Sequence, residues 1–206
     1  MPLSKVAISN IALARLGADS IRSFSESNKR ARMCDILFDS IRDDLLERFD
    51  WPFAKRFVQL NEVTITDPIP TGMVVYQLPN DCKKPRDIHP VGSKIPWFVQ
   101  NNQLYTQLSE VYLYYTALTV DTALFSSVFA NLLALGMASQ MCMAITHDAK
   151  MAKQLIALFD NSQYSAWEVD ANIGSDYQVG DSDPENDTFV NPDGSLAALN
   201  SATAAQ

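Results

Sequence analysis

Only two histidines occur, His89 and His147, and they stand far apart in the chain. Side-chain metal sites usually show local ligand pairs such as His-x-x-x-His or Cys-x-x-Cys. Neither spacing is present, and Cys34, Cys82 and Cys142 are as widely scattered as the histidines. An odd, dispersed set of thiols reads as reduced, partly buried cysteine in a cytoplasmic protein. The seven glycines are isolated, so no glycine-rich loop offers a backbone cradle for phosphate. Asp43, Asp44 and Glu47 are the densest carboxylates on a predicted helix. Carboxylates do acid–base work when they are buried and opposed. Interleaved with Arg42 and Arg48 on a polar helix face, these three read instead as salt-bridge partners. No serine sits in a nucleophile elbow. The expectation is no enzyme: no catalytic residue, no cofactor and no metal.

What remains is charge and its placement. The chain has 24 acids against 16 bases, a net charge of -8 and a pI near 4.6. Nine of those acids follow Lys153, the last base, and the rest of the chain is close to neutral. An acidic chain is poorly equipped to grip nucleic acid, because phosphate binding needs Lys and Arg to displace counterions. It suits a surface past which DNA moves without sticking. Two basic clusters stand out: Lys29, Arg30 and Arg32 with Arg22 nearby, and Lys83, Lys84 and Arg86 in a predicted loop. Each is either a solvated face or a contact for an acidic partner, such as the acidic end of a neighbouring copy. Beyond residue 175 apolar residues are sparse, and such a segment cannot offset its ordering entropy alone. It is either disordered or an arm that orders on another subunit, anchored by Tyr177, Phe189 and Val190.

The elements that would position these groups follow from periodicity and punctuation. Apolar spacing predicts a helix over 4–16, ended by Gly17, and a second over 28–49, stopped by Pro52. Alternating segments at 55–60, 72–78, 95–99 and 111–115 read as strands, with Asn101-Asn102 as a hairpin turn. Helix returns at Asp121, running to about 146, and a last helix capped at Asp148 or a neighbour runs to about 169. The segment 123–145 is apolar, but its interspersed Ser, Asn and Gln and its missing basic flanks predict a core helix and no membrane insertion. No signal peptide is expected from the opening residues. The expected organisation is helices over 1–52, a β-rich insertion over 53–120, helices over 121–174 and an acidic arm over 175–206. The expected fold class is mainly α: a four-helix core with an antiparallel β insertion and an extended C-terminal arm.

Three stretches carry a resemblance. They are Ile11-Ala12-Leu13-Ala14-Arg15-Leu16-Gly17, then Glu47-Arg48-Phe49-Asp50-Trp51-Pro52-Phe53-Ala54, and Tyr76-Gln77-Leu78-Pro79-Asn80-Asp81-Cys82. With the order helix–helix–β–helix–helix, they make residues 4–170 similar to the tail tubular protein A family, the head-to-tail adaptors of short-tailed bacteriophages. The resemblance implies a virion structural protein assembled in the host cytoplasm, forming a homo-oligomeric ring of twelve copies. One side would meet the portal protein and the other the tail nozzle protein, with double-stranded DNA passing through the channel. It implies no cofactor and no catalytic residue. The competing expectations are a nucleic-acid-binding packaging or regulatory protein using Lys29, Arg30 and Arg32, and an enzyme built on Asp43, Asp44 and Glu47.

Overall fold

The structure is a computed structural model, and it describes residues 3–65, 70–89, 95–173, 189–190 and 196–197. Helix α1 spans Lys5–Arg15 and begins where the Ser4 hydroxyl accepts from the Ala7 N–H. It ends because Gly17 adopts φ +66°, which lets the Ala18 N–H reach the Leu13 carbonyl at 3.1 Å. Helix α2, Lys29–Arg48, is capped by Asn28, whose Oδ1 accepts from Ala31 N at 2.8 Å. Its buried stripe is Cys34, Phe38, Ile41 and Leu45, as the periodicity predicts. Pro52 then opens a single 3₁₀ turn, Pro52–Ala54.

Helix α3, Ser127–Thr146, starts later than expected. Asp121 caps a separate 3₁₀ turn, Thr122–Leu124, and Ser126 caps α3 through the Phe129 N–H. This helix is apolar on every side because α1, α2 and α4 all pack against it. It is long and apolar enough to cross a membrane, yet 67% of that stretch is buried inside the protein. His147, at φ +56°, makes the turn into α4, Ala149–Ile173. Asp148 Oδ1 accepts from the N–H groups of Lys150 and Met151 at 2.9 and 3.0 Å.

Between α2 and α3 lie strands β1 (Lys55–Gln59), β2 (Val74–Gln77), β3 (Cys82–His89), β4 (Trp97–Gln100), β5 (Gln103–Thr106) and β6 (Tyr112–Ala117). They form two antiparallel three-stranded sheets, ordered β1-β6-β3 and β2-β5-β4. The Asn101-Asn102 turn has φ of 51° and 59°, the positive values a two-residue hairpin needs. The expectation of a mainly α protein is therefore wrong. About 50% of the described residues are helical and 20% are strand, and the fold is mixed α/β. The physical reason is that the β part carries its own core: Tyr76, Leu78, Ile88, Leu104, Val111, Leu113 and Tyr115 bury one another. β3 is also a strand where a loop is expected from the sequence. Its Pro85 is accommodated because β3 is an edge strand with register shifts between Cys82 and Lys84 and between Pro85 and Asp87.

All four helices contribute to the second core, which holds Ile8, Leu13, Phe38, Leu45, Trp51, Phe129, Leu133 and Met137. Trp51 is fully buried, edge-on to Phe129 at 4.9 Å, with its indole N–H donating to the Leu45 carbonyl at 2.8 Å. Burying an indole of that size stabilises by on the order of 5 kcal/mol. Residues 1–173 make one compact unit and 174–206 another. In the second, strand β7 (Phe189–Val190) pairs antiparallel with β8 (Leu196–Ala197). The expected arm otherwise lies outside the described residues.

Candidate assembly surface

Four of the seven basic side chains in the two clusters are bonded within the subunit. Lys29, in the first turn of α2, donates from Nζ to the Ala144 carbonyl at 2.5 Å. Ala144 belongs to the last turn of α3, whose final carbonyls have no partner within the helix, so Lys29 caps it and complements its dipole. Arg30 pairs with Asp19 at 3.1 Å. Arg22 and Arg32 are exposed and form no ion pair among the described residues. Nearby, Glu26 closes the loop before α2. The N–H of Arg22 donates to it, with that of Ser23 and the Asn28 amide, and holds its carboxyl below the usual range.

The second cluster sits on β3. Lys83 bridges to Asp43 at 2.6 Å and approaches Glu47 at 4.0 Å. Arg86 is more deeply committed. Its Nε donates to Thr116 Oγ1 at 2.8 Å, and its Nη2 reaches the carbonyls of Leu46, Glu47 and Phe49 at 3.1, 3.2 and 2.7 Å. Those are the terminal carbonyls of α2, so one guanidinium ties the β1-β6-β3 sheet to the end of a helix. Lys84 is exposed. The carboxylates read as possible acid–base groups are held in ion pairs. Asp43 takes Arg42 as well as Lys83, and Asp44 takes Arg48 at 2.9 Å.

Tyr177 lies outside the described residues, and Phe189 and Val190 form β7 in the C-terminal unit. The cysteines are scattered in space as in sequence: Cys34 and Cys142 are buried and Cys82 half-buried. Burial, with Asp81 beside it, pushes the Cys82 thiol up to about 11. His89 packs edge-on against Phe57 at 5.4 Å and His147 is exposed at the α3–α4 turn. Among the described residues no three His, Cys, Asp or Glu side chains converge as a metal-binding group would require.

The open features are apolar side chains and backbone, which the sequence reading did not single out. β1 is exposed along its whole length at the edge of its sheet. Phe57 stands out from it, stacked on Tyr112 at 5.5 Å. β4 is the corresponding edge of the other sheet, with Phe98 stacked on Tyr105 at 4.7 Å. A groove of about 440 Å³ also runs between α3 and α4, lined by Leu132, Leu135, Leu158 and Val169 with Arg15 on its wall. Edge strands with free N–H and C=O groups are templates for pairing with another chain. The arrangement is suited to making contacts. In comparisons with known proteins, the sequence matches no protein-family model and no curated protein.

Proposed function

We propose that this chain is a structural assembly subunit, a head-to-tail adaptor of a short-tailed bacteriophage that forms a ring between portal and tail nozzle. One observation carries the reading. Lys29, Arg30, Lys83 and Arg86 are spent inside the subunit, on helix ends, acids and holding sheet to helix, whereas Phe57, Val58, Phe98 and Val99 stand exposed on open strand edges. That is the equipment of a protein that works by shape and interface. The resemblance at 11–17, 47–54 and 76–82 supplies the phage setting and the twelvefold ring. A neutral-to-acidic wall would let DNA pass without holding it. The test is electron microscopy of the purified protein mixed with the portal of its phage. Rings on the portal vertex are expected, and protein that stays strictly monomeric in that mixture would sink the reading.

The DNA-binding alternative is weakened by the placement of its own residues. Lys29 and Arg30 are occupied by Ala144 and Asp19, leaving Arg32 and Arg22 as the cations of that cluster with no ion pair among the described residues. Salt-dependent retention on DNA would revive it.

A further inference from the structure

The direction of the backbone groups along the two edge strands follows from their pairing. β1 pairs with β6 from Lys55↔Thr116 to Gln59↔Tyr112, and the Leu60 N–H continues the ladder onto the Val111 carbonyl at 2.9 Å. In an antiparallel ladder alternate residues exchange bonds with the partner strand. Arg56, Val58 and Leu60 therefore bond to β6 and its continuation, and the N–H and C=O of Phe57 and Gln59 point away from it. In the β4–β5 hairpin, Gln100↔Gln103 closes the two-residue turn, which makes it a bonded pair. The same alternation leaves Trp97 and Val99 with outward backbone groups. Among the described residues neither outer edge has a backbone partner.

The side chains point the same way. The large apolar residues left exposed on the two sheets are Phe57, Val58, Phe98 and Val99, at 58%, 37%, 38% and 40%. They lie two on each open edge, in the same Phe-Val-Gln order at 57–59 and 98–100. A groove of about 270 Å³ beside Val58 is walled by Leu60, Leu78 and Pro79.

We propose that β1 of one copy pairs antiparallel with β4 of a second copy. Phe57 stands opposite Val99 and Gln59 opposite Trp97 as bonded pairs, with Val58 opposite Phe98 between them. This register gives a partner to the outward backbone groups of Phe57, Gln59, Trp97 and Val99. It sets each exposed phenylalanine across from an exposed valine, an aromatic–β-branched pairing that stabilises sheets. Phe98 of the second copy then lies over the groove beside Val58. Pairing of β1 with itself about Phe57 would leave the outward groups of Trp97 and Val99 without a partner, whereas the β1–β4 register satisfies both edges. Two different surfaces meet, so each copy gives β1 to one neighbour and β4 to the other. Contacts of that kind propagate and close into a ring when the rotation permits. The proposal rests on the ring-assembly reading above and names its contact.

The test is a disulfide trap. Val58 and Phe98 face each other at a non-bonded position, where Cβ atoms come within disulfide range. In protein mixed with the portal, the V58C/F98C double variant is expected to give a ladder of linked multimers on non-reducing gels. The single variants should give none. Covalent dimers from V58C alone or F98C alone would overturn the proposal in favour of self-pairing. No ladder in particles that microscopy shows to be rings would overturn this contact and leave the ring reading standing. No assembly at all would overturn both. Gln59→Pro provides a second arm, because it deletes an outward N–H and leaves the ladder to β6 in place. It is expected to keep its circular dichroism and urea midpoint while raising the concentration needed for assembly roughly tenfold or more. An unchanged assembly threshold in the folded variant would count against the proposal.

Discussion

Replacing Arg86 by methionine keeps most of the side chain's apolar stem and removes the guanidinium that joins β3 to the end of α2. Four contacts go with it, but they are not four independent bonds, because one Nη2 is shared among three carbonyls. The two short ones, 2.7 Å to Phe49 O and 2.8 Å to Thr116 Oγ1, set the scale. Hydrogen bonds from a charged donor contribute about 1.5 kcal/mol each at the low end, which gives roughly 3 kcal/mol for the pair. The lost charge at the helix terminus adds about 0.5 kcal/mol. Arg86→Met should therefore destabilise by about 3.5 kcal/mol, and Arg86→Lys by roughly half of that, since the ammonium keeps the charge but not the fork. Urea denaturation reads this as a lower midpoint at constant m-value. Thermal melting should fall by about 7–14 °C for the methionine variant. A Thr116→Val variant completes a double-mutant cycle, with a coupling of about 1 kcal/mol expected. If Arg86→Met stays within about 0.5 kcal/mol of the parent, the clamp is not a stabilising contact. Equal losses for methionine and lysine would show that the fork geometry is irrelevant.

A methyl group added at Gly136 would meet Phe159 at 2.8 Å and Ile41 at 2.9 Å, so Gly136→Ala should cost about 1–3 kcal/mol by overpacking α3 against α2 and α4. Relief by an accompanying Phe159→Leu, measured by urea melts, identifies the contact. Asn102→Ala forces a residue with a Cβ into φ 59° and should cost roughly 1–2 kcal/mol, whereas Asn102→Gly should not destabilise the turn. Tyr115 is buried and donates to Asp81 at 3.1 Å; burial first, then that carboxylate, push its phenol up to about 12. Because the folded value lies above the ordinary value of 10, this contribution is complete below pH 10 and is lost as pH rises through 12. Alkaline denaturation followed by circular dichroism should be less steep over that window for Tyr115→Phe.

The helices were legible because their signals are local. Ser4, Asn28 and Asp148 are caps a few residues from the N–H groups they serve, and Gly17 sits where α1 needs a positive φ. Asn101-Asn102 announced its hairpin for the same reason. Asp121 misled by the same logic, since it caps a turn and the cap of α3 is Ser126. Lys83-Lys84-Pro85-Arg86 resembled a loop because proline and charge are poor strand formers. What makes it a strand is pairing with β6, about 30 residues away, and an arginine satisfied by a helix end. The destinations of Lys29 and Arg86 were invisible because their acceptors lie 115 and 37–40 residues distant. Exposure of Phe57 and Phe98 was equally hidden, because alternation marks a strand but not whether it ends at an edge.

The stretch Asp50-Trp51 is where the chain's three parts meet. Tyr114 of β6 donates to the Asp50 carboxylate at 2.5 Å, Trp167 of α4 donates to the Asp50 carbonyl at 3.3 Å, and Trp51 closes back on α2. A hinge between sheets and helices would have to break the Tyr114–Asp50 bond, the Lys83–Asp43 bridge and the Arg86 fork together. Residues 1–173 are thus built to open as one cooperative unit. Amide protons in β6, the end of α2 and the middle of α4 should exchange at a common, near-global free energy, and in the proposed ring the angle of each subunit would be fixed before it meets a neighbour.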